Sequence, residues 1–295
     1  MRLAVLALLA AIVAAAPASA EECHLQRAAT LPLRFLPTGR IAVPVSVGGR
    51  KLDFLVDSGG VDSMLGVSTV KALNLPIVNL RYTSTQMFGG EVFDQVAVAS
   101  NVDVGGLKAD QMRFLIMPDI GLETGTGGLL APDVMRAYDD DFDFANATFN
   151  LVSPDHCPGQ VVYWTKDYSA IDFQLDDTGH IMLIVSLDGA KFRATVDTGA
   201  SRSVLGLSEA EILFHIDKSQ MKDMGDVEGV GHAYTLPFAA LTMGTVTVQH
   251  PDILLVPESD SRMTGALIGI GVLRQLHLYI AYREQKIYVS AATAH

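Results

Sequence analysis

Ile41–Ser68, IAVPVSVGGRKLDFLVDSGGVDSMLGVS, and Ile181–Ser208, IMLIVSLDGAKFRATVDTGASRSVLGLS, align without a gap. Each opens on an alternating apolar run, passes through a two-residue turn at Gly49 or at Asp188-Gly189, and continues into a second apolar run that ends at an aspartate. Apolar alternation with such turn residues predicts a tight β-hairpin. Equal turn lengths set equal registers, so Asp57 and Asp197 are expected to leave their strands at equivalent positions. An internal repeat of this length means that the chain is built twice from one plan.

The likeness returns further on. GGLLAPDVMRAYDDDFDFANATFNLV, from Gly127, matches GALIGIGVLRQLHLYIAYREQKIYVS, from Gly265, with Arg136 over Arg274 and a closing strand in each. Between the matched blocks lie hairpin candidates, MFGGEVF from Met87 and VEGVGHAYTL from Val227, and strands such as MRFLIMP and DILLVP. Helix is scarce. The best case is LSEAEILFHI, where Ser208 and Glu211 have capping-box spacing. The expected organisation is a mainly β chain of two lobes, 41–153 and 171–292, joined by a Pro-containing linker at 154–170 and preceded by an arm at 21–40. The acidic run from Asp139 reads as a solvated loop entering a strand, because it lacks the Gly-punctuated spacing of a calcium loop.

Residues 1–20, MRLAVLALLAAIVAAAPASA, combine a basic start, an apolar run too short to span a bilayer and a small-residue end, the pattern of a cleaved secretory signal. The chain is therefore expected to be exported, periplasmic or extracellular, and off the membrane once the signal is cut. A net charge of −12 with no clustered Lys or Arg gives no footprint for nucleic acid. The two cysteines, Cys23 and Cys157, suit one disulfide in an oxidising compartment better than a metal site. The eight histidines show no ligand spacing, so neither metal nor other cofactor is expected.

Four motifs, in order and in frame, resemble the aspartic proteases of the pepsin and retropepsin clan, most closely bacterial exported proteins of two tandem retropepsin-like lobes. They are Asp57-Ser58-Gly59 with Leu129-Leu130, and Asp197-Thr198-Gly199-Ala200-Ser201 with Leu267-Ile268-Gly269. The resemblance implies a bilobal acid-protease fold, with two pseudo-symmetric β-barrel lobes, an interlobe cleft and pairing of the lobes within a monomer. It implies a peptide or protein substrate, cut by Asp57 and Asp197 acting on water. Ser58 and Thr198 would exchange hydrogen bonds across the lobes, while Gly59 and Gly199 would let the chain turn beneath the carboxylates. Flap contacts to substrate would come from Phe88, Gly89, Gly90, Gly229, Gly231 and Tyr234.

Two nearby carboxyls cannot both ionise, so one pair supplies an acid and a base together. The competing reading is a peptide-binding protein of the same fold without activity, against which both aspartates speak by their retention. Three positions depart from the family pattern. Val61 stands where the second repeat has Ser201, Ala131 where it has Gly269, and Asp133 where it has Gly271. The methyl of Ala131 is expected to shift the first active loop slightly.

Overall fold

Both aligned stretches form hairpins of one register. Ile41–Val47 pairs antiparallel with Arg50–Val56, and Ile181–Leu187 with Ala190–Val196, so that Val47 faces Arg50 and Leu187 faces Ala190. Gly48, Gly49, Asp188 and Gly189 all have positive φ, the backbone that a two-residue hairpin turn needs. Val43, Val45 and Val47 are buried, as are Leu183, Val185 and Leu187. The computed structural model describes residues 24–80, 85–86, 92–227, 230–257 and 266–293.

In each lobe the second hairpin strand runs parallel to a strand from the later repeat block. Val56 sits beside Leu130 and Val196 beside Ile268. That inserted strand pairs antiparallel on its other side with Met64–Gly66 or with Ser203–Gly206. Among the described residues the first lobe's sheet has eight strands and the second's ten. Short helices, Val67–Ala72 and Leu207–Phe214, follow at matching places. The second starts one residue before the expected cap. Gly206 is its N-cap, without a side-chain hydrogen bond, and Ser208 lies inside the first turn, so the capping box does not form.

A six-stranded sheet joins the lobes. Its order is Arg27–Pro32, Thr148–Val152, Asp139–Asp143, Leu276–Ala281, Lys286–Ala291 and Ser169–Asp172. The closing strands of the two halves meet in its middle, where Asp140 faces Ile280 and Phe142 faces Leu278. Phe142, Leu278, Ile280, Ile287 and Val289 add to a continuous apolar core that also takes in Phe54 and Phe114 of the first lobe and Leu205 and Leu241 of the second.

The acidic run is no solvated loop. Asp139, Asp140 and Asp141 are fully buried in this sheet, which is possible because polar groups from distant segments meet them. Asp139 lies 2.6 Å from His156 Nε2 and accepts from Tyr279 Oη and the Tyr282 N–H. Asp141 lies 2.7 Å from His277 Nε2 and accepts from Asn150 Nδ2 and Tyr163 Oη. Asp140 points the other way. Its Oδ2 accepts from Tyr282 Oη at 2.7 Å, its Oδ1 has no partner among the described residues, and burial pushes its carboxyl up to about 8.

Candidate active site

The pleat decides where the two aspartates point. Val56 and Val196 face the main core, so the next residue on each strand is turned to the opposite side of its sheet. Each aspartate is fixed there by its own backbone. The Asp57 N–H donates to the Leu130 carbonyl at 2.9 Å, and the Asp197 N–H to the Ile268 carbonyl at 3.0 Å.

Ser58 and Thr198 lock the two loops together. The Ser58 N–H donates to Thr198 Oγ1 at 3.0 Å, and that hydroxyl donates to the Val56 carbonyl at 2.9 Å. In return the Thr198 N–H donates to Ser58 Oγ at 3.0 Å, and Oγ donates to the Val196 carbonyl at 3.0 Å. Both residues are fully buried. Four hydrogen bonds, each crossing from one lobe to the other, hold residues that directly adjoin the aspartates.

The loops cross so closely that each glycine lies under the other lobe's carboxyl. A Cβ at Gly59 would overlap the carboxyl carbon of Asp197, and one at Gly199 that of Asp57. Neither glycine has positive φ, so close approach rather than an unusual turn requires them. Asp57 Oδ1 accepts from the Gly59 N–H at 3.0 Å, and Asp197 Oδ1 accepts from the Gly199 and Ala200 N–H groups at 2.8 and 3.1 Å.

The two carboxyls lie close enough for the charge of one to act on the other. Burial and then the charge of Asp197 raise Asp57 well above the usual carboxylate range. Burial raises Asp197 too, against the hydrogen bonds it accepts from Asp57, Gly199 and Ala200. Such a pair can hold one proton between two carboxyls.

Comparison with known proteins bears on this geometry. Residues 43–134 match the family described as "Aspartyl protease", and residues 183–275 match "gag-polyprotein putative aspartyl protease". The chain carries two aspartyl-protease domains in tandem. The fold agrees with this. The crystal structure of basic 7S globulin from soybean superposes with a TM-score of 0.55 over 91% of this chain and 96% of that one, at 8% identity. The expected bilobal fold, two retropepsin-like domains in a mainly β chain, is borne out. No curated protein matches the sequence.

The two aspartyl-protease domains anchor their active loops differently. In the second, the Ile270 N–H donates to the Ala200 carbonyl at 2.8 Å and the Gly271 N–H to that of Ser201 at 3.0 Å. This draws the loop so close that a Cβ at Gly269 would overlap the Arg202 carbonyl oxygen. In the first domain Pro132 replaces Ile270 and has no N–H to give. Asp133 takes over, accepting from the Ser63 N–H at 3.0 Å and from its hydroxyl at 2.6 Å.

Ser63 also accepts the Ala131 N–H at 3.0 Å, as Ser203 accepts that of Gly269 at 3.0 Å. The first turn therefore keeps its hydrogen bond despite the methyl of Ala131, which is fully buried. Sequence reasoning passed over Ser63 and Ser203. Their superposition in the aligned repeats was the available signal.

Of the remaining residues singled out from sequence, Phe88, Gly89, Gly90, Gly229 and Cys23 lie outside the described residues. Gly231 has positive φ and begins a strand that pairs with Lys222–Val227. Tyr234 is 5% exposed, packed in the main core with Lys218 Nζ 4.4 Å from its ring centre, an environment of hairpin packing. Cys157 is disulfide-bonded.

Proposed function

We propose that the protein is an exported aspartic endopeptidase in which Asp57 and Asp197 activate water against a peptide bond. The observation that carries this reading is the crossing of the two loops, locked by four hydrogen bonds through Ser58 and Thr198, where each aspartate's carboxyl lies against the other lobe's glycine. The ionised partner takes a proton from water as the water oxygen attacks the scissile carbonyl carbon. The neutral partner gives its proton to the carbonyl oxygen. Collapse of the resulting diol breaks the carbon–nitrogen bond: the nitrogen takes the pair's proton as leaving amine, and a diol hydroxyl returns its own proton to the pair as the carbonyl re-forms. The Ser58–Thr198 lock supplies what this needs, two carboxyls held at fixed separation without further reorganisation.

One chain provides both halves of the site, which supports a monomer as the working unit. Residues 1–20 support export, and an oxidising compartment suits the disulfide at Cys157. The decisive assay is cleavage of an unfolded protein by wild type, Asp57→Asn and Asp197→Asn, with a statine-type inhibitor as control. Cleavage by wild type that both substitutions and the inhibitor abolish is expected. Peptide binding without cleavage by wild type would replace this reading with that of a binding protein.

A further inference from the structure

The two hairpins set a basic residue across from each aspartate. In the second lobe Met182 faces Thr195, and the Thr195 hydroxyl donates to Met182 Sδ at 3.0 Å, so these side chains share one face of the sheet. Ile181 and Val196, next along each strand, turn to the main core. One residue further, the same register brings His180 and Asp197 opposite each other on the face of Met182 and Thr195. In the first lobe Ala42 faces Leu55, and the same two steps bring Arg40 opposite Asp57.

The two basic residues are held differently. Arg40 is engaged within the first lobe, its Nη1 donating to the Gly121 carbonyl at 3.3 Å and its Nε standing 3.7 Å from Glu123 Oε2. His180 is held by its own turn. The Asp176 N–H donates to the His180 carbonyl at 3.1 Å, and Asp176 Oδ1 accepts from the N–H groups of Thr178 and His180, each at 2.9 Å. The Thr178 hydroxyl gives its proton to that same oxygen at 2.6 Å, so toward His180 Nδ1, also 2.6 Å away, it can only accept. Asp176 Oδ2 lies 3.1 Å from Nδ1. The ring is therefore a donor at Nδ1, with a carboxylate behind it.

Charged groups meet this turn from three elements. Asp176 and the exposed Asp177 belong to the turn itself. Arg136, which ends the short helix Pro132–Met135 of the first lobe, donates from Nη2 to the Gly179 carbonyl at 3.0 Å. Asp197 stands across the hairpin, with Asp57 beyond it. Set against burial, hydrogen bonds from Thr178 and His180 bring the Asp176 carboxyl down to about 2, and a guanidinium such as that of Arg136 keeps its charge throughout. The imidazole is the member of this group whose charge changes near the working pH.

That charge reaches the carboxyl pair on one side. Burial raises Asp197, and the charge of His180 acts against it, together with the hydrogen bonds from Gly199 and Ala200. Asp57 is raised by burial and then by the charge of Asp197, and lowered by the N–H groups of Gly59 and Gly60.

Resting on the endopeptidase reading, we propose that His180 is a positioning residue that decides where the proton of the carboxyl pair resides. Its imidazolium holds the negative charge on Asp197. Asp197 is then the base that takes a proton from water, and Asp57 the acid that gives its proton to the scissile carbonyl oxygen. A positive charge beside one member of such a pair favours the state ionised there.

His180→Gln removes the charge and leaves the backbone bonds of the turn in place. The acidic limb of kcat/KM, which reports ionisation of the pair, is expected to move up by about half a pH unit or more. His180→Arg, which sets here the residue that the first repeat carries, should return the limb to its wild-type position. A second readout needs no substrate. In Asp57→Asn the Asp197 carboxyl titrates without its partner, and its midpoint, followed by carbon-13 NMR of labelled aspartate, should rise when His180→Gln is added. In Asp197→Asn the same addition should move the Asp57 midpoint less. A limb or an Asp197 midpoint that His180→Gln leaves in place, a shift that His180→Arg fails to reverse, or an Asp57 midpoint that moves as far as that of Asp197 would overturn the proposal. Absence of any cleavage by wild type would sink the endopeptidase reading instead, and the NMR midpoints would still decide for or against His180.

Discussion

Gly199 of one lobe lies against the carboxyl carbon of Asp57 of the other, leaving no room for a Cβ between them. The reciprocal contact joins Gly59 to Asp197. Gly199→Ala and Gly59→Ala should therefore push the carboxyls out of register, lowering kcat on the order of 10²-fold, the usual penalty for a misplacement near 1 Å. Circular dichroism and the melting temperature, measured beside the rates, should show the fold retained. An alanine variant with wild-type turnover would mean that the pair tolerates displacement and does not act as one unit.

The pair should also set the pH profile. Both carboxyls are raised, by burial first and for Asp57 next by its neighbour's charge, so one proton is retained into milder pH. An optimum of roughly pH 5 to 6.5 is expected. A Cβ at Gly60 would sit 3.1 Å from Asp57 Oδ2, so the hydroxyl of a Gly60→Ser variant can reach the pair. Donation to the ionised form should move the acidic limb downward. A wild-type maximum below about pH 4, or an unmoved limb in the variant, would speak against this control of the titration.

Ser63 serves the Ala131 N–H and Asp133 at once. Ser63→Ala leaves a buried donor without its acceptor, for a loss of about 1–3 kcal/mol in denaturant unfolding. Gly269→Ala should be more damaging than Ala131→Gly, because its methyl would meet the carbonyl of Arg202. Ala131→Gly should keep its melting temperature within a few degrees. Equal destabilisation at the two positions would mean that the loops are anchored alike.

Asp140 makes folding take up a proton. Its folded carboxyl titrates near 8, above the ordinary 3.8, because burial outweighs the hydrogen bond from Tyr282 and the charges of Asp139 and Asp141 push in the same direction. The contribution to stability is complete below the unfolded value and is lost as pH rises through that window toward 8. Wild type should melt higher at pH 5 than at pH 8. Asp140→Asn should reduce the difference, leaving the part due to the carboxyl pair, Asp133 and Asp139, which burial also raises. A variant as pH-dependent as wild type would assign the slope elsewhere.

Local pattern carried the hairpins and the places of Asp57 and Asp197, because a two-residue turn and strict alternation leave one register open. It could not carry Asp139 to Asp141. Their burial depends on His156, Tyr163, His277 and Tyr282, brought together only when the six-stranded sheet closes, and by composition alone a run of carboxylates looks solvated. The helix start at Leu207 escaped for a similar reason, since Gly206 belongs to a strand until tertiary pairing ends it. The exchange of Ile270 and Gly271 for Pro132 and Asp133 was visible as a departure. Its meaning lay in which residue still had an N–H to donate, a question that arises only once the loop's neighbours are known.

The sheet that joins the lobes places the last strand of the chain, Lys286–Ala291, between Leu276–Ala281 and Ser169–Asp172, and its first described strand, Arg27–Pro32, beside Thr148–Val152. Timing follows from that order. A nascent chain still short of its carboxyl end lacks the pair of strands that bridges its halves, and loops that depend on each other for their shape have no fixed partner. Contacts this distant in sequence form late. The two aspartates would thus first meet only once the last strands of the chain are in place.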